Sequence, residues 1–190
     1  MGKNQLAVTK VLSLSMMLIL CFFPTAYGAE VEKGKIPAEH LAPAFKKLPW
    51  GAQVWDEPEA IDALSKEEKV LWVDTRPESF FKAGTVRGAV LHVYDKKGSQ
   101  ENTLTAAALS DSLQRQALGP DVTVAFFCQG PECHRSYNAT YVAVSEWGYK
   151  PEKIIWFRAG YPLLLKAIKD DAKMKRKAKK LISDEALNSL

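Results

Sequence analysis

Cysteine is scarce in this chain, with three in 190 residues. That is too few for a disulfide-stapled scaffold, and a chain of this length buries a sizeable core without staples. Glycine (11) and proline (10) stand at ordinary levels, which excludes collagen-like and low-complexity architectures. No large excess of one charge sign is present. Twenty-six basic against 22 acidic residues give +4, too mild for nucleic acid as a main partner and too balanced for wholesale disorder. There is no internal repeat, and beyond the N-terminus no apolar run is long enough to span a bilayer. With 47% hydrophobic and 25% charged residues, the chain reads as one ordinary globular domain.

Residues 1–28 have the layout of a secretory signal peptide. Lys3 and Lys10 give a positive start, the run Val11 to Phe23 is broken only by Ser13 and Ser15, and Pro24 ends it. Ala26 and Gly28 place small residues at −3 and −1 of a cut before Ala29. The thirteen-residue run falls short of the roughly 20 that a membrane anchor needs, and Leu20 disfavours a lipoprotein cut before Cys21. Cleavage removes Cys21, leaving 24 basic against 22 acidic residues and the pair Cys128 and Cys133. The expected product is secreted and periplasmic, an oxidising setting for that pair, with no stable membrane insertion after cleavage.

Residues 29–51, with Pro37, Pro43 and Pro49, predict an extended arm or short helical turns. From 52 to 170, strands and helices alternate. Helix is expected over 58–69, 105–118 (capped by Thr105, stopped by Gly119-Pro120), 136–147 and 162–178. Strand is expected over 70–73, 89–93, 122–127 and 154–157. The run over 122–127 is apolar on both faces, as a central parallel strand is. The pattern is α/β, a central mostly parallel sheet with helices on both faces. The basic run 173–180 inside the 171–190 tail is expected as the solvated end of the last helix, with contact to an acidic partner or anionic lipid as the sharper reading.

The chemistry concentrates in Cys128-Gln129-Gly130-Pro131-Glu132-Cys133-His134-Arg135-Ser136, a loop from the central strand to a helix. Ligands of parallel sheets bind beyond the carboxyl ends of strands, where Cys128 falls. A Gly-containing loop curling onto a helix N-terminus turns backbone N–H groups inward and stabilises an anion. A cysteine held there is a thiolate nucleophile, and His134 and Arg135 add positive potential. An inert cysteine closing a strand is the competing reading, which the loop composition opposes.

Taken in order, Asp74-Thr75-Arg76-Pro77, then Gly84-Thr85-Val86-Arg87-Gly88-Ala89, then Cys128 with its loop to Arg135-Ser136, then Gly148-Tyr149 and Ala159-Gly160-Tyr161, the chain resembles a single rhodanese domain over about residues 52 to 168. The resemblance implies a sulfurtransferase. Cys128 would take sulfane sulfur from a donor such as thiosulfate, and would pass it from a persulfide to a thiol or cyanide acceptor, or to a protein acceptor. Gln129 to Ser136 would form the substrate-binding loop, and Asp74 and Arg76 would position it. No cofactor or metal is implied. Three departures stand out. Ser136 lies eight residues after Cys128 rather than six, Thr85 and Arg87 replace the usual His and Pro, and Phe80 stands where some thiosulfate-using members carry an Arg.

Cys133 is placed to resolve a Cys128 persulfide or sulfenate into an internal disulfide; the plain alternative is a small residue lining the loop. The alternative function is a non-catalytic sulfur carrier or a redox-sensing module built on that disulfide. Readings from other classes fit less well. A phosphatase needs Cys-x5-Arg, and His134 holds that Arg position. Cys128-x4-Cys133-His134 is a stretched haem-attachment pattern with no evident distal ligand among His40, His92 and Met174. A zinc site there lacks a convincing fourth ligand. His40 and His92 are expected at the surface or at a strand end, and the five tryptophans in core or rim packing.

Overall fold

The computed structural model describes residues 31–32, 34–119 and 121–190. The expected leader over 1–28, residues 29, 30 and 33 of the arm, and Pro120 lie outside the described residues. Five strands, β1 (Gln53–Trp55), β2 (Val70–Asp74), β3 (Val90–Leu91), β4 (Thr123–Phe127) and β5 (Ile154–Phe157), form one sheet in the order β1-β5-β4-β2-β3. Every pairing is parallel. β4 is central, paired to β2 from Val70–Thr123 to Asp74–Phe127 and to β5 from Val124–Ile154 to Phe127–Phe157.

Alternate side chains of the strands serve two cores, because successive residues point to opposite faces. Val124 and Phe126 face a core with α4 (Ala106–Arg115), α5 (His134–Ser145) and the arm, through Leu109, Tyr137, Val142, Leu48 and Trp50. Ala125 and Phe127 face a second core with α2 (Glu57–Ser65) and α6 (Gly160–Asp170), through Ala60, Leu64, Leu164 and Ile168. This is the expected α/β architecture, with apolar strands buried on both sides.

The arm is tied down rather than loose. It contains α1 (Ala38–Leu41), and the Arg158 guanidinium donates to the carbonyls of His40 (2.9 Å) and Ala42 (2.6 Å) while pairing with Asp56 at 2.5 Å. His92 directly follows β3, at a strand end as expected, but both histidines are buried rather than at the surface: His40 Nδ1 is 2.8 Å from the Tyr137 hydroxyl and His92 Nε2 is 2.8 Å from Ser112 Oγ. Each ring finds a polar partner inside, which is what makes its burial tolerable.

Several boundaries move from their expected places. Thr105 caps α4, its hydroxyl accepting from Ala108 N–H at 3.1 Å, but the helix ends at Arg115. Ala117 turns to φ 53°, and Leu118 N–H closes back on Leu113 C=O at 2.8 Å, a left-handed helix stop. The single helix expected over 162–178 is two. Asp171 is extended (φ −121°, ψ 117°) and its carboxylate caps α7 (Ala172–Leu181) by accepting from Lys173 N–H at 2.6 Å. The cations of the 173–180 run are exposed, as expected, but they lie on this separate helix, whose other face is packed. Ala178 and Leu181 are buried in the second core, and Ile182 pairs with Val86 before α8 (Asp184–Leu187). No helix among the described residues is long and apolar enough to cross a membrane. Short elements escape sequence periodicity for want of length, among them β1, α3 (Glu78–Ala83) and α8.

Candidate active site

Cys128 directly follows β4, at its carboxyl end, and is 1% exposed. Its backbone is fixed from both sides. From β2, Thr75 directs its N–H (3.0 Å) and its hydroxyl (2.8 Å) to Phe127 C=O. From the start of α6, Tyr161 N–H donates to Cys128 C=O at 3.0 Å. Between them Gly160 passes so close, with φ 66°, that a Cβ there would sit 2.4 Å from Cys128 O and 2.8 Å from Gly130 N. Only glycine admits that approach.

Asp74 and Arg76 lie behind this frame and do not line the pocket. The Asp74 carboxylate accepts from Arg76 N–H (3.0 Å), Nε (2.9 Å) and Nη2 (2.6 Å), and from the Thr85 hydroxyl at 2.7 Å. Thr85 thus supplies the fourth donor to a buried carboxylate, and a buried ion pair needs such further bonds to be tolerated. Arg76 also donates to Gly84 C=O at 2.7 Å and lies 4.6 Å over the Tyr161 ring. Burial pushes the Tyr161 phenol up, against a lowering by Arg76, so a neutral ring stays beneath the guanidinium. Asp74 and Arg76 therefore connect to Cys128 through Tyr161, whose ring Arg76 covers and whose N–H holds Cys128 C=O.

In front of the frame is a pocket of about 520 Å³ lined by Cys128 to Arg135 together with Pro77, Phe80 and Asp95. Gly130 to Cys133 make a turn closed by Cys133 N–H on Gly130 C=O at 3.1 Å. That N–H is therefore taken, and Pro131 has none to offer, so the full cradle expected from Gln129 to Arg135 is reduced to the amides of Gln129, Gly130, Glu132 and the first turn of α5. The first N–H groups of a helix have no partner within it, and no side chain caps this end. The helix starts at His134 rather than at the expected Ser136, so the two extra residues of the loop become its first turn. Ser136 is buried below the pocket, its hydroxyl accepting from Trp156 Nε1 at 3.2 Å; it anchors α5 and does not line the site.

His134 and Arg135 do not add free positive charge. His134 Nε2 is 3.1 Å from Asp95 Oδ1, and Arg135 donates to Tyr94 C=O at 3.1 Å and pairs with the same Asp95 at 3.3 Å. Asp95 is the pocket residue that sequence reading missed; an arginine in the first turn of a helix, where the dipole disfavours a cation, was the signal that a carboxylate had to be near. With Arg135 held this way, the fork a phosphatase would require is absent. Phe80, on α3, is 46% exposed at the pocket lip.

Cys128 and Cys133 are joined in a disulfide, their Cα atoms 6.1 Å apart. The two sulfurs of the stretched haem pattern are thus engaged with each other, and its histidine with Asp95.

The rhodanese-like domain profile matches residues 57–167. The chain belongs to the rhodanese-like domain family. Among solved structures, a Saccharomyces cerevisiae homolog of single-domain rhodanese and the Cdc25 phosphatase catalytic domain superposes with TM-score 0.51 at 17% identity, over 70% of this chain and 87% of its own. The rhodanese-like domain of an Anabaena sp. protein gives TM-score 0.41 at 18% identity, over 60% and 73%. The As-Sb reductase of Leishmania major gives 0.47 at 17% identity, over 72% and 95%. At these identities the likeness is one of fold. No curated protein sequence matches the chain.

Proposed function

We propose that this rhodanese-like protein is an exported, periplasmic sulfurtransferase that carries sulfane sulfur as a persulfide on Cys128. The observation that supports this most is the placement of Cys128, which directly follows β4 at the floor of the pocket, its backbone fixed by Thr75 through Phe127 and by Tyr161, with the α5 N-terminus and loop amides beside it. Such donors stabilise a thiolate and the anions exchanged there. The form with Cys128 in a disulfide is a resting state, and a thiol has to reduce it before sulfur can load.

In the reduced protein the Cys128 thiolate attacks the outer sulfur of thiosulfate. A sulfur–sulfur bond forms, the bond to the sulfite sulfur breaks, and sulfite leaves with the electron pair. The persulfide then passes its outer sulfur to a small thiol, cyanide or a protein thiol. Reduced protein should release sulfite from thiosulfate in the presence of dithiothreitol, and Cys128→Ser should lower that rate at least ~1000-fold, as loss of a nucleophile does. Equal rates for the two proteins would refute the proposal.

A further inference from the structure

Two sulfurs share this pocket, and the structure treats them differently. Cys128 is 1% exposed at the pocket floor, whereas Cys133 is half-buried at the N-cap of α5. Their Cα separation of 6.1 Å lies in the ordinary range for a disulfide, and the turn that carries Cys133 is closed by its own hydrogen bond to Gly130. A second thiol is therefore always within bonding reach of Cys128, on a helix N-terminus that stabilises thiolates.

We infer that Cys133 is a resolving nucleophile that converts the transferase cycle into a reductive one, releasing sulfide; the inference rests on the Cys128 persulfide proposed above. The Cys133 thiolate attacks Cys128 Sγ, the Cys128–Cys133 bond forms, the bond to the outer sulfur breaks, and that sulfur leaves as hydrosulfide. The outer sulfur gains the two electrons that the two cysteines lose. A dithiol reductant then attacks the more accessible Cys133 sulfur, and the Cys128 thiolate departs into the loop amides. The sum is thiosulfate plus dithiol giving sulfite, hydrogen sulfide and disulfide. An intramolecular thiol acts at an effective concentration of millimolar or more, so dilute external acceptors lose to Cys133. The disulfide that this step would leave is the Cys128–Cys133 bond of the structure, the resting form that a thiol must reduce before the next cycle.

The test uses reduced protein, desalted without oxygen and given thiosulfate with no acceptor present. The expected result for the natural sequence is one sulfite and one sulfide per chain, loss of both thiols and a mass lower by about 2 Da. Cys133→Ser should release one sulfite and no sulfide, and should gain about 32 Da. Cys133→Ala, with melting curves for both variants, guards against misfolding as the cause. If the natural sequence also kept the extra sulfur and released no sulfide, the resolving role would be overturned while the transferase stood. If neither protein released sulfite or gained mass, the persulfide itself would be refuted, and the resolving role with it.

Discussion

Gly160→Ala is the sharpest structural test of how Cys128 is held. At φ 66° an alanine meets a left-handed backbone cost of about 1–2 kcal/mol. The added methyl would also sit 2.4 Å from Cys128 O, 2.8 Å from Gly130 N and 3.1 Å from Cys128 C. All three are backbone atoms, which cannot swing aside, so an overpacking cost of roughly 1–3 kcal/mol adds to the first. Gly88→Ala is the matched control, with φ 73° and no atom within 4 Å of its Cβ. Both variants incur the backbone cost, and only Gly160→Ala incurs the second. Its Tm should therefore fall below that of Gly88→Ala by about 2–12 °C, at about 2–4 °C per kcal/mol for a chain of this size. Sulfite release, assayed well below both midpoints, should drop at least ~10-fold in Gly160→Ala, since displacements of about 1 Å cost a reaction up to ~100-fold. Gly88→Ala should stay near the natural rate. Equal Tm and equal rates in the two variants would refute the claim that Gly160 packs the active loop.

Three further outcomes follow from the same structure. Phe80→Arg places a cation at the pocket lip without disturbing a core side chain, and about 1 kcal/mol of attraction to a dianion should lower the KM for thiosulfate about five-fold at low salt; an unchanged KM would show that Phe80 does not face the bound donor. Burial holds His40 below the ordinary histidine value, and burial followed by the charge of Arg115 does the same for His92. The unfolded chain therefore takes up protons first as pH falls below about 6.5, so the stability of the neutral rings is whole above that pH and is lost beneath it. The Tm of the disulfide form should be lower at pH 5 than at pH 7.5, and His92→Gln should flatten the difference; a Tm that rises toward pH 5 would contradict this. Ala117→Gly relieves an exposed left-handed stop at φ 53° and should raise Tm by a few degrees, about 1 kcal/mol; a lower Tm would show that Ala117 is not strained.

Much of this was legible in the sequence where a physical signal was strong. The 122–127 run could only be a strand buried on both faces, and it lies at the centre of the sheet with Cys128 at its carboxyl end. The Thr105 cap names its helix. Asp171 shows the opposite case: inside a helical period from 162 to 178, its ability to cap a new helix outweighed the periodicity, and α7 folded back onto α2 and α6. Histidines 40 and 92 look polar in sequence, but their partners Tyr137 and Ser112 lie 97 and 20 residues away, and long-range hydrogen bonds leave no local trace. Asp95 was hidden for the same reason: its ties to His134 and Arg135 span about 40 positions. The left-handed stop at Ala117 was missed because glycine is the usual residue there.

The central claim is that reduced Cys128 accepts sulfane sulfur, and the most direct measurement isolates that thiol from its neighbour. Reduced Cys133→Ser protein is treated with thiosulfate, and its intact mass and fragment masses are recorded. The account predicts a gain of about 32 Da, one sulfur, located on Cys128 and discharged by cyanide or dithiothreitol. No gain, or a gain on another residue, would contradict it.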